Sequence, residues 1–204
     1  MRSYIQFQKN QAQVRARRKT EHLKDIRQDG SGNWAYEGEW MECTLEEGVR
    51  RRVTAALWLL LSGAAACCLI CGCIRGTGME GCWYVLIPYA SAVFAVCFCI
   101  RHLWAVTAGR GRMWKHHHAK HMLALAPCLV WGFVSCLLCV TGRTGLALFS
   151  GGWNSASGPG TASGGILFLV LQAASAAAFL AAWHLQKKLV WKTAPKTETE
   201  NGHN

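Results

Sequence analysis

Acidic side chains are nearly missing from the body of this chain. Of eleven Asp and Glu, only Glu80 lies between Val53 and Lys196. That scarcity leaves no pair of carboxylates there for general acid–base work and no carboxylate cage for a hard cation. No glycine-rich phosphate loop and no nucleophile triad is recognisable either, so nucleotide and acyl-transfer chemistry have no foothold. Proline is sparse, with four residues. Two of them, Pro88 and Pro127, fall in apolar stretches, where each removes a helical hydrogen bond and predicts a kink or local unwinding.

Those apolar stretches are the dominant positive feature. Residues 53–73, 83–106, 122–141 and 166–185 contain no Asp or Glu. A hydrocarbon core of about 30 Å needs about 20 residues at helical rise, and lipid supplies no hydrogen-bond partner, so each stretch predicts a transmembrane helix. The expected fold class is an all-α membrane protein: a four-helix transmembrane bundle over residues 53–185, behind a basic arm (1–52) and ahead of a polar tail (186–204). No ionisable group falls at mid-depth, where a proton- or ion-coupled transporter ordinarily keeps one. Gln172 is the most polar deep side chain, while Arg101, His102 and His184 lie where long or amphipathic side chains reach the interface.

A net charge of +11 would suggest nucleic acid in a soluble protein, but its placement here suits lipid. Eleven of the 22 Lys and Arg precede Val53. Arg110, Arg112, Lys115 and Lys120 lie between the second and third stretches, and Lys187, Lys188, Lys192 and Lys196 follow the fourth. The other two turns hold only Arg75 and Arg143. Cations on one set of loops orient a membrane protein with that set inside, so both termini are expected in the cytoplasm, facing anionic headgroups. The expected location is the plasma membrane, with a bacterial inner or cytoplasmic membrane favoured, since neither outer turn carries an N-x-[ST] acceptor. A cleavable signal is not expected, because a long polar segment precedes the first apolar stretch, and Arg2 in place of Gly excludes N-myristoylation.

Within the arm, residues 1–20 are basic and free of acids and read as a weakly helical, headgroup-contacting segment; Tyr4 and Phe7 beside these cations would also suit single-stranded nucleic acid, which is not the favoured reading. Asp29 to Gly32 is a turn signal, and Trp34, Tyr36, Gly38 and Trp40 then recur with period two, predicting a short strand or hairpin with an interfacial aromatic face. Thr44 and Glu47 have capping-box spacing, predicting a helix from about Leu45, supported by Glu46–Arg50 and Glu47–Arg51 pairs. Gly142 to Gly165 reads as a slack external tether. Ala174, Ala178 and Ala182, beside Ala173, Ala177 and Ala181, form a small face that another helix can approach closely.

Two groups of side chains bear on chemistry. His117 and His121 lie one helical turn apart in a basic loop; imidazole suits Zn or Cu, but Lys115 and Lys120 repel a dication, so the group reads as a pH-sensitive headgroup contact. Among eleven cysteines, Cys73 and Cys82 bracket the first outer turn, and Cys136 and Cys139 form a C-x-x-C near the outer end of the third stretch. In outline this is similar to the vitamin K epoxide reductase family, four-helix membrane bundles in which loop cysteines pass electrons to a C-x-x-C and a quinone. The resemblance covers those four cysteines alone. It implies that Cys73 and Cys82 would relay electrons to Cys136 and Cys139.

The leading expectation is a non-enzymatic accessory or scaffold protein of the membrane. A small-solute transporter or pore subunit is the alternative, and a membrane thiol-redox enzyme the third reading. No catalytic, cofactor-binding or metal-ligating residue is assigned. Expected partners are the bilayer, its anionic headgroups through arm and basic loop, and a membrane-protein partner or second copy, with no nucleic acid. A peptide of residues 1–27 is therefore expected to bind anionic vesicles in a sedimentation assay and to leave them as salt rises, since the Debye length is about 8 Å at physiological ionic strength. Equal binding to neutral vesicles would show instead that apolar insertion of Tyr4, Ile5 and Phe7 dominates.

Overall fold

The computed structural model describes residues 26–28, 34–36, 38–74, 82–109, 111–149 and 161–194. The basic segment 1–20 and the run 150–160 lie outside them. Four helices are long and apolar enough to cross a membrane. They are α1 (Glu47–Cys73), α2 (Trp83–Ala108), α3 (Lys115–Phe149) and α4 (Thr161–Gln186). They form a ring in chain order, in which α2 with α3, α1 with α4 and α3 with α4 are the tight seams, and α1 with α2 is the loosest.

The described residues also include five short strands. β1 (Ile26–Gln28) and β2 (Trp34–Tyr36) make the expected antiparallel hairpin, pairing Arg27 with Ala35. β3 (Trp40–Cys43) is the centre of a second sheet, with β4 (Arg112–Trp114) on one side and β5 (Trp191–Thr193) on the other. Both pairings are antiparallel, with Met41 opposite Met113 and also opposite Thr193. Because β3 precedes α1 and β5 follows α4, both flanks of the bundle meet at one end.

The core follows helical periodicity. Leu57, Leu61, Ala64 and Cys68 line the inner face of α1, and Ala92, Ala95, Val96, Cys99 and Leu103 that of α2. In lipid, where apolar helices gain little by leaving the solvent, close contact must hold the bundle. Gly132 of α3 provides such a contact, since a Cβ there would lie 2.5 Å from the Phe179 ring of α4. Hydrogen bonds add to it: the Ser91 and Ser135 hydroxyls are 3.0 Å apart, Trp131 Nε1 donates to Ser91 Oγ at 2.7 Å, and Tyr89 Oη donates to the Cys68 carbonyl at 2.8 Å.

Several expectations are corrected. Thr44 does not cap α1: its amide and hydroxyl both donate to the Val190 carbonyl, at 2.9 and 3.1 Å, and no side chain caps the helix, which begins at Glu47. Glu47 pairs with Arg51 as expected, but Arg50 turns away from Glu46 toward Gly111. The third span is not 20 residues but 35, absorbing Lys115–His121 at one end and Gly142–Phe149 at the other. At helical rise that is about 52 Å, well beyond the hydrocarbon core. The slack tether correspondingly shortens, because α4 already begins at Thr161. Arg143, expected in a turn, is enclosed in α3 at 3% exposure. Glycine in a helix costs only about 1 kcal/mol relative to Ala. Packing of Arg143 and Ala147 outweighs that at Gly142 and Gly145. Local unwinding at Pro88 and Pro127 is not found, because both helices continue through these residues. The alanine face of α4 is divided: Ala182 is buried and Ala178 packs against the core, on the side of Phe168, Gln172, Ser175, Ala176 and Phe179, while Ala173, Ala174 and Ala177 are exposed.

The seam between α3 and α4 yields a stability test. Gly132→Ala is expected to lower the thermal unfolding midpoint in detergent, with a cost of about 1–3 kcal/mol from overpacking. Phe179→Leu in the same chain should recover part of it. Strictly additive losses would show that Phe179 and Gly132 are not coupled.

Candidate functional site

Polar and reactive side chains gather at the two ends of the bundle. At the arm end the β4–β3–β5 sheet covers the helices. Its strands are three or four residues long, so packing and anchoring bonds must hold them. Alternation sorts the two faces. Met113, at 3% exposure, and the partly buried Met41 pack onto the core. Trp40, Glu42, Arg112 and Trp114 lie on the other face, where the rings of Trp40 and Trp114 meet edge to face at 6.2 Å. The Arg112 guanidinium lies 5.1 Å from the centre of the Trp40 ring, and its Nε donates to Glu42 at 3.0 Å. Lys115 Nζ donates to the Glu39 carboxylate at 2.6 Å. Four backbone bonds close the perimeter: Cys43 to Gly111, Thr44 to Val190, Lys115 to Glu39 and Ala194 to Trp40, all 2.8–3.0 Å.

Gly111 makes the turn into β4 with φ +92°, a conformation in which a Cβ is strained. The Arg50 guanidinium occupies the space that a side chain at Gly111 would need. Beside Arg50 opens a cavity of about 670 Å³. α1 supplies Glu47, Arg50, Arg51, Thr54, Ala55 and Trp58; Val106, Thr107, Gly111, Leu189 and Trp191 complete its wall. Trp58 is fixed there by a 3.2 Å bond from its Nε1 to the Thr107 hydroxyl and by an edge contact with Trp104. The indole nitrogen of Trp191 is buried and meets no acceptor among the described residues.

Histidines adjoin this region, though not in the arrangement expected. His121 is buried, and its Nδ1 lies 3.1 Å from Nδ1 of His102 on α2, so one ring donates and the other accepts. His117 stacks edgewise on His121 at 4.4 Å between ring centres, and His118 lies against Trp191. The signal for a His102–His121 pair was invisible without knowing that α2 and α3 are antiparallel neighbours. Among the described residues, no three His, Cys, Asp or Glu converge on a point suited to a metal ion.

At the opposite end Cys71, Val85, Cys139 and Phe168 form a separate buried cluster, with Cys82, Tyr89 and Leu171 packed against it. The cysteines that flank the turn between α1 and α2 are thus divided: Cys82 is half-buried against this cluster, and Cys73 is exposed. Cys139 Sγ lies 3.9 Å from the Val85 carbonyl and Cys71 Sγ 3.9 Å from that of Phe168. Cys136 belongs instead to the main core with Cys68. All the cysteines among the described residues are free thiols. Gln172 is fully buried and neither of its amide atoms has a hydrogen-bond partner among the described residues. Arg143, which sequence reasoning placed in a turn, lies at this end against Gly165.

No family model, no curated protein and no solved structure matches the chain.

Replacing Cys136 and Cys139 together by Ala is expected to lower the thermal midpoint through lost packing and to leave quinone reduction by membranes unchanged. Loss of a quinone-dependent activity in that variant would place redox chemistry above packing for these thiols.

Proposed function

We propose that this is a non-enzymatic accessory protein of the plasma membrane, whose helices hold a small interfacial platform against the cytoplasmic leaflet for contact with anionic lipid and a membrane-protein partner. One observation carries the reading: segments before α1, between α2 and α3 and after α4 are joined in a single sheet. Connections of this kind are usually left as independent loops, and joining them gives a fixed surface. That surface presents Trp40, Trp114 and Lys192, with Arg112 paired to Glu42 beside them. Tryptophan favours the headgroup level, and cations are drawn to anionic lipid by about 1 kcal/mol each near the surface. The 1–27 segment adds further cations on the same side.

A second reading, thiol chemistry at the other end, draws on the packing of Cys82 against the cluster that holds Cys71 and Cys139. A pore has less support, since the polar side chains on the inner face of α4, Gln172 and Ser175, are fully buried and no ionisable group joins them there among the described residues.

Orientation tests the leading reading. In a variant keeping only Cys73, the exposed thiol at the end of α1, an impermeant maleimide should label intact cells. An engineered cysteine near Asn204 should label only after permeabilisation. The reverse pattern would put the sheet outside the cell, away from the anionic leaflet, and overturn the proposal.

A further inference from the structure

We propose that the cavity between the arm-side ends of α1 and α2 binds the phosphate headgroup of one anionic phospholipid, which enters sideways from the bilayer. The inference rests on the reading of this end as the one facing anionic lipid, and it assigns to one site what that reading gives only to a surface.

Charge selects the ligand. Three cations, Arg50, Arg51 and Arg52, stand immediately before the apolar run that starts at Val53, which puts them at headgroup depth. Arg51 is neutralised by Glu47, and both are largely exposed. Arg50 is different: it is half-buried against the Gly111 turn, and its guanidinium has no ion-pair or hydrogen-bond partner among the described residues. A partly desolvated guanidinium favours an oxyanion, because its planar fork matches two phosphate oxygens. The Glu47 carboxylate at the rim would repel an anion, but its pairing with Arg51 offsets that charge. Thr54 adds a hydroxyl-bearing side chain to the same wall.

Shape selects a lipid over a free ion. The cavity of about 670 Å³ is far larger than a phosphate, and Ala55, Trp58, Val106 and Leu189 make much of its lining apolar. Two of its walls, α1 and α2, form the loosest seam of the bundle. Leu59, one turn beyond Ala55 on α1, and Trp104 of α2, in contact with Trp58, continue the apolar surface toward the membrane centre at 74% and 69% exposure. A headgroup at Arg50 would therefore leave its acyl chains on surface that already faces lipid.

Native mass spectrometry of the full-length protein in detergent, titrated with phosphatidylglycerol or phosphatidylcholine, tests this. The first phosphatidylglycerol should bind about tenfold more tightly than the first phosphatidylcholine, the scale of one hydrogen bond to a charged group. Arg50→Gln should abolish that preference, and Arg50→Lys should keep part of it. Ala55→Trp, which fills the cavity from an exposed position and removes no cation, should abolish it too and guards against a folding defect at Arg50. Equal affinities for the two lipids in the unmodified protein, or an unchanged preference in folded Ala55→Trp, would overturn the site. Displacement of the first phosphatidylglycerol by millimolar inorganic phosphate would assign the cavity to a free anion and overturn the lipid. Salt-sensitive binding of the 1–27 peptide to vesicles is independent of these results, so the surface reading and the site can fail separately.

Discussion

The arm end of the molecule depends on the backbone of one four-residue strand. β3 bonds to β4 on one edge and to β5 on the other, and among the described residues it is the one element that touches both the middle loop and the tail through a ladder. Without it the short strands would leave their amides and carbonyls to water, and the loop, tail and arm would be separate tethers. With it, Met41 and Met113 seal the helix ends, Arg112 and Glu42 are set face to face across the ladder, and Arg50 is lodged under the Gly111 turn. Platform and cavity both follow from that placement.

Inside the bundle a different balance operates. Most buried side chains are small or branched, and hydrogen bonds between helices use hydroxyls, indoles, imidazoles and a backbone carbonyl. Such bonds are worth only modest amounts in a membrane, so tight seams such as Gly132 on Phe179 carry much of the specificity. The loose α1–α2 seam is the exception, and the cavity beside Arg50 lies at its arm-side end.

The spans were legible because a hydrocarbon core imposes both length and composition, and four acid-free stretches satisfy both. The β1–β2 hairpin was legible because Asp29–Gly32 and the aromatic period mark it locally. The ends of α3 were not. Gly142 to Gly145 carries glycine, threonine and arginine, which read as a turn in isolation, whereas in the fold they continue the helix with Arg143 and Ala147 buried. The second sheet was equally hidden: Arg112–Trp114 and Trp191–Thr193 are too short for a periodic signal, and their partner is remote in sequence. The cavity shared that obscurity, since Arg50 reads as the fourth residue after Glu46 and only the fold shows that it leaves that partner. The outward turn of Ala173, Ala174 and Ala177 escaped notice because small residues carry little information about which face is buried.

The order of strands along the chain also constrains how the molecule is made. β3 leaves the ribosome before any membrane helix, yet Thr44 bonds to Val190, 146 residues later. At synthesis rates of about 5–20 residues per second, β3 waits on the order of 7–30 s for its last neighbour. Contacts so distant in sequence form late, because the intervening chain must first be ordered. The sheet can close only once all four helices have inserted with the correct hand, so its completion marks successful assembly. A chain with one span misplaced would leave β5 on the wrong side of the membrane and β3 with an open edge, a form that quality-control proteases are suited to detect.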